Sequence, residues 1–285
     1  MRLKQFFNLI WNEFVYGGHL LSLGAVSIVY TSAILLNIKI TWDFLVIVYL
    51  GTYSPYLYNR YKEFNEDFAT NPERTKHIEK HVKYIPIMIF LFILVMIGIF
   101  LHFNKISALL FAIFLILTSF YYSILFKGLS KKIVGFKSFY VSLNWSLLVI
   151  LLVIYYFFPL NLAVFLIFAF IFLRFIVSTT FFDIKDIEAD KKEGLLTLPN
   201  RLKSKGLFIF LILTTLIALL PIILGVYLNV LPIISLLLLF TAPYTFYYLK
   251  RVRNKKTDIS FLYNVIVDGE FILWSFFIFL GKIFL

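Results

Sequence analysis

Asn59, Glu63 and Asp67 follow one another at four-residue intervals, and Asp183, Asp186 and Asp190 at intervals of three and four. On an ideal helix turning by about 100° per residue, the first set spans an arc of roughly 80° and the second an arc of roughly 60°. Each set is then a one-sided face of hard oxygen ligands. Such carboxylates suit magnesium, whose remaining ligands are waters and substrate phosphates. Two such faces brought together would hold divalent cations and the polyanion that those cations bind. The plainer reading has the acids simply solvating a helix end. It weakens when two clusters sit beside apolar spans, where acids are costly and usually functional. Oxygen ligands do not suit a soft-metal or redox site. The chain has no cysteine, which excludes disulfides, thiolate metal centres and a cysteine nucleophile. His19, His77, His81 and His102 have no metal-ligand spacing.

The elements that must carry these acids are apolar. The hydrophobic fraction is 61% and only 15% of residues are charged, against roughly 25% in a soluble domain. Long unbroken apolar runs suit α-helices crossing a hydrocarbon core rather than barrel strands of alternating polarity. The expected fold is an all-α polytopic membrane bundle of about nine transmembrane helices. They lie near residues 17–37, 41–58, 84–102, 106–126, 138–158, 161–182, 206–228, 231–249 and 261–281, and residues 1–285 form a single transmembrane domain. The first run is read as a permanent span and not a removable signal peptide. All but four of the 27 basic residues then fall on one side, the exceptions being Lys39, Lys105, Lys282 and Arg174. The positive-inside rule places the N-terminus and both acidic clusters in the cytoplasm and the C-terminus outside, for an integral protein of the cell membrane. A net charge of +12 is thus explained by topology and anionic lipid, and nucleic acid is not an expected partner.

The loops after the second and sixth spans are long, rich in both charge signs, and each begins with an acidic helix end. Glu63 and Asp67 recur at one common offset as Asp186 and Asp190, a hint of two similar halves. Pro55 is expected to kink the second span near its polar end, and Gly194 and Pro199 to end the second motif in a turn.

The stretch Asn59-Arg60-Tyr61-Lys62-Glu63-Phe64-Asn65-Glu66-Asp67, followed by Asn71-Pro72-Glu73-Arg74-Thr75, resembles the first aspartate-rich motif of the UbiA superfamily of intramembrane prenyltransferases. The stretch from Asp183 through Asp186 and Asp190 to Gly194, Thr197 and Pro199 resembles the second, and is the more specific match. The resemblance covers essentially the whole chain. It implies Mg²⁺ held by Asn59, Glu63, Asp67, Asp183, Asp186 and Asp190, with Asp67, Asp186 and Asp190 as catalytic residues. It also implies a polyprenyl diphosphate that ionises to an allylic carbocation, and transfer of the prenyl group to an acceptor, an aromatic ring or another lipid-pathway molecule. Arg74, Lys127 and Lys137 are the expected diphosphate-binding residues. The family's first motif commonly has aspartate at the positions of Glu63 and Arg60, so the chain departs from the pattern there.

Three further residues stand out. Arg174 lies inside a span, on the opposite helix side from Asp183, and is expected to pair with polar groups of another helix. Asp268 and Glu270, inside the last span, suit acceptor-side or proton-accepting groups, or carboxyls held neutral by burial. The competing function is a non-catalytic lipid-binding protein or transporter with a UbiA-like fold, although coupling-ion sites lie nearer the bilayer midplane than helix ends do. The signature of CDP-alcohol phosphatidyltransferases is absent.

Overall fold

In the computed structural model, residues 2–64, 72–122, 126–253 and 258–284 are described, and all regular structure among them is helical. The long helices are α1 (Arg2–Tyr16), α2 (His19–Leu35), α3 (Trp42–Lys62), α5 (Ile85–His102), α6 (Ile106–Tyr121), α7 (Phe136–Tyr155), α8 (Leu162–Phe182) and α10 (Ser204–Tyr227). A 3-10 segment, Ile233–Phe240, runs into α11 (Thr241–Val252), and a π-helical turn, Leu262–Val267, runs into α12 (Asp268–Phe284). Two short helices, α4 (Pro72–Glu79) and α9 (Ile187–Glu193), lie in the long polar connections.

Helix therefore occupies each of the nine expected apolar segments, but the number of crossings is only approximately nine. Six stretches are long and apolar enough to cross a membrane, or seven if α1 and α2, bent by 60° at their junction, count as one. The α6 helix has 16 residues, short for a core of about 30 Å, and α3 carries charge at both ends, with Asp43, Arg60 and Lys62.

One end of the bundle is tied by four tight turns of the same kind. Asn37, Asn104, Phe157 and Asn229 each take a left-handed conformation, with φ between 53° and 55°, just after α2, α5, α7 and α10. The following N–H groups of Ile38, Lys105, Phe158 and Val230 reach back to carbonyls of the last helical turn at 2.8–2.9 Å. Three of the four left-handed residues are asparagine, the non-glycine residue that tolerates this conformation best. These caps keep one end of the bundle short and closed. The long connections, and with them both acidic motifs, are left at the other end.

The main core joins α2, α3, α5, α6, α7, α8, α10 and α12, with Phe44, Phe100, Phe170, Phe271 and Trp274 fully buried. The α8 helix packs against both α7 and α10, and α2 against α12. The expected kink in α3 does not interrupt it, for the helix runs through Pro55 to Lys62. Pro55 has no N–H to give the carbonyl of Gly51, and both residues line an internal cavity.

Candidate active site

The second motif is a broken helix and not the single continuous face expected. The α8 helix ends at Phe182, Asp183 caps it, Asp186 is the N-cap of α9, and Asp190 lies within α9. Gly194 closes α9 with φ 74°. Leu195 then donates its N–H to the carbonyl of Asp190 at 2.8 Å. Pro199 opens a one-turn helix, Leu198–Arg201, so the punctuation falls where the sequence placed it. The segment is held down from outside as well. Leu196 donates to Ser130 O and Gly135 donates to Leu196 O, both at 2.8 Å. The turn before α7 is thereby pinned to the turn after α9.

This scaffold surrounds a polar cavity of about 370 Å³. Asn59 and Glu63 from the end of α3, Arg74 from α4, Lys127, Lys137 from the first turn of α7, and Asp183, Asp186 and Asp190 all line it. Asp67 lies outside the described residues. The two acidic helix ends thus face one space, although Glu63 and Asp190 belong to elements far apart in the chain.

Within the cavity Lys137 organises the second motif. Its Nζ is 2.8 Å from Asp183 Oδ1 and 3.3 Å from Asp190 Oδ1. Ser138 Oγ donates to the other oxygen of Asp183 at 3.2 Å. Lys127 pairs with Glu193 at 2.6 Å. Burial pushes the carboxyl of Asp190 up to about 6 against the opposing pull of Lys137, and raises that of Asp183 for the same reason. Asp186 Oδ1 and Asp190 Oδ2 are buried and have no hydrogen-bond partner among the described residues. A buried carboxylate oxygen left so is costly, and a hard divalent cation is the partner that would relieve it. Among the described residues no three acids or imidazoles already converge into a ready metal cage, and the ammonium of Lys137 stands between two of the aspartates. The donor set therefore fits magnesium held by a few carboxylates, with waters and phosphates completing its shell.

Against the polar cavity lies a more apolar chamber of about 240 Å³ that shares part of its lining. Tyr56, Tyr122 and Trp145 line both spaces, and Met96, Leu115 and Leu148 wall the deeper part. Trp145 lies 4.6 Å from Phe175, nearly parallel to it, and Phe175 stacks on Phe271 at the same spacing. This stack has no signature in a chain with 35 phenylalanines, and only the fold selects it. Lys185 also lines the polar cavity, with a basicity lowered to about 8 by burial and then by Arg74. Sequence reasoning passed over it because it lies among the acids of the motif.

Arg174 takes no part in the cavity. Its guanidinium is buried against Glu270, and it donates to Thr245 Oγ1 at 2.9 Å. The pairing across helices matches the expectation. Glu270 is thereby removed from the acceptor side, whereas Asp268, two residues earlier, lines the polar cavity.

The sequence matches the UbiA prenyltransferase family over residues 20–277. The chain belongs to the UbiA prenyltransferase family. The fold is similar to that of a UbiA homologue from Aeropyrum pernix K1 in its apo form, with a TM-score of 0.71 and 17% identity over 92% of this chain and 98% of that one. It is also similar to a digeranylgeranylglyceryl phosphate synthase, with a TM-score of 0.57 and 17% identity over 94% and 99% of the two chains. No curated protein matches the sequence. At these identities the structural likeness establishes a UbiA fold. The family match supports prenyl transfer within a membrane as the general activity.

Proposed function

We propose that this UbiA-family chain, acting as one transmembrane unit over residues 1–285, transfers a prenyl group from a polyprenyl diphosphate to an acceptor at the cytoplasmic side of the cell membrane, with Mg²⁺ as cofactor. The observation that carries the reading is the adjacency of two spaces. An acidic and basic cavity gathers the described motif residues, and it shares Tyr56, Tyr122 and Trp145 with a more apolar chamber. That is the shape of a substrate with an anionic head and an isoprenoid tail.

Asn59, Glu63, Asp67, Asp183, Asp186 and Asp190 would hold the magnesium. When bound, it would neutralise charge on the diphosphate as that group departs. Arg74, Lys127 and Lys137 would meet the remaining phosphate oxygens with charge-assisted hydrogen bonds. Lys127 and Lys137, now paired with Glu193 and with Asp183 and Asp190, would exchange carboxylate for phosphate. As the allylic carbon–oxygen bond breaks, the diphosphate leaves with the electron pair. The rings of Tyr56, Tyr122 and Trp145 would exclude water and face the positive carbon with their electron-rich surfaces. The acceptor then forms the new bond to that carbon and loses a proton. Asp268, the acid of α12 that lines the polar cavity, is the group placed to receive it.

Binding of graded chain lengths of polyprenyl diphosphate to the purified protein, with and without Mg²⁺, tests the reading. We expect Mg²⁺-dependent binding that is lost in Asp67→Ala/Asp186→Ala while the protein stays folded in detergent. Absence of binding at every chain length would overturn the donor assignment and favour a lipid-binding protein or transporter built on the same fold.

A further inference from the structure

The first helix carries a pattern that the site does not use. At about 100° per residue, Phe6, Phe7, Ile10, Trp11 and Phe14 fall within an arc of roughly 140° on α1, while Asn8, Asn12, Glu13 and Tyr16 fall outside it. Phe6, Phe7, Ile10 and Trp11 are each about half exposed or more, at 57%, 61%, 48% and 48%. The apolar face thus turns away from the bundle among the described residues.

Outside that arc Leu9, Asn8 and Asn12 are also exposed, but Glu13 and Tyr16 bind the rest of the protein. Glu13 meets Nε2 of His77 at 2.9 Å, and Tyr16 donates its hydroxyl to Glu73 at 2.7 Å. Both partners belong to α4. Ser260 donates to the same carboxylate oxygen of Glu73 at 3.0 Å. Two residues of α4 are thereby gripped from α1, and between them α4 turns Arg74 into the polar cavity.

The angle of α1 is fixed as well. It meets α2 at 60° through Gly18, whose φ is 90°. A Cβ there would overlap the ring of Tyr56, which lines the cavity and donates its hydroxyl to Tyr16 O at 3.3 Å. With α2 taken as a span, a helix bent by 60° from it at the motif end lies closer to the membrane plane than to the membrane normal.

We infer that α1 is an interfacial arm, whose apolar face rests in the lipid surface on the motif side while its polar face holds α4, and with it Arg74, at the cavity. The partner is the membrane itself. An amphipathic helix with aromatic residues on one face binds at the headgroup boundary. The effect on catalysis rests on the proposed diphosphate role of Arg74, but the lipid contact does not.

The chain has no cysteine, so single labels are clean. Bimane would be placed at Phe7→Cys on the apolar face and at Asn12→Cys on the polar face, in nanodiscs of phosphatidylcholine and phosphatidylglycerol. We expect a quencher on the lipid acyl chains to reach the label at position 7 and aqueous iodide to reach that at position 12. Equal access of iodide to both labels overturns the arm. So does shielding of position 7 from both quenchers, which would mean that protein covers the face. In the same nanodiscs Phe6→Ser/Phe7→Ser/Ile10→Ser and Glu13→Gln/Tyr16→Phe are each expected to weaken Mg²⁺-dependent diphosphate binding severalfold, as Arg74→Ala does. Loss in Arg74→Ala with none in the arm variants overturns the coupling. No loss in Arg74→Ala overturns instead the diphosphate role of that arginine, and the quenching pattern still decides the arm.

Discussion

Lys137 is the side chain around which the second acidic motif closes. It satisfies Asp183 and Asp190 together, and Asp183 is only 3% exposed. Lys137→Met would leave both carboxylates without their cation, a loss of about 1–3 kcal/mol for a buried group deprived of its partner. The melting temperature should fall in metal-free buffer and recover in part when Mg²⁺ is added, because the cation then takes the place of the ammonium. A fall that Mg²⁺ leaves untouched would show that these aspartates do not bind it. Asp268 makes a different prediction. If it receives the acceptor's proton, Asp268→Asn should lower kcat by about 10²–10⁴-fold and leave donor affinity near that of the parent protein. Equal losses in both would make it a donor-binding residue.

At the scale of elements, α12 is locked to α8 by a buried ion pair. Arg174 and Glu270 are 1% and 0% exposed, and Trp274 donates to the same carboxylate at 3.4 Å. Removing one member leaves a charge stranded in an apolar interior. Arg174→Met is therefore expected to cost about 3–5 kcal/mol, whereas Arg174→Met/Glu270→Met should come close to the parent. A double-mutant cycle by thermal unfolding in detergent checks this, and additive losses would mean that the two residues act independently. The pair also bears on the site. Glu270 lies in the first turn of α12, so anchoring it to α8 holds the start of that helix, and Asp268 with it, at the cavity wall. The π-helical turn that precedes Asp268 shifts the register of the helix at the same point.

For the whole molecule, the decisive asymmetry is between its two ends. One end has four capped hairpin turns, and the other has the long basic connections and the cavity. In the proposed orientation, which follows the positive-inside rule, the second end faces the cytoplasm. In intact cells, cysteines placed at Lys39 or Lys105 should react with a membrane-impermeant maleimide, while one at Lys131 should react only after permeabilisation. The reverse pattern would invert the proposed orientation. The same asymmetry explains which parts of the site could be read early. Glu63, Asp183, Asp186 and Asp190 are legible because acids are rare in an apolar chain, and Asn59 because it stands four residues before the first of them. Lys137 is legible as a basic residue at the motif side, but its seat between two aspartates is not, since that depends on how α7 meets α8.

Local chemistry was written in the sequence. The helices follow from apolar runs that must satisfy their own backbone in lipid, the turn that ends the second motif from Gly194 and Pro199, and the clustering of oxygen ligands from the spacing of the acids. Tertiary structure decided what depends on distance between remote segments. It closed Asp183 and Asp190 on Lys137, chose Trp145, Phe175 and Phe271 from many aromatic residues, turned Asp268 inward and Glu270 toward Arg174, and tied α1 to α4. In this chain almost any face can be apolar. Periodicity therefore shows that a helix forms but not which side it presents, and only packing against neighbours settles that.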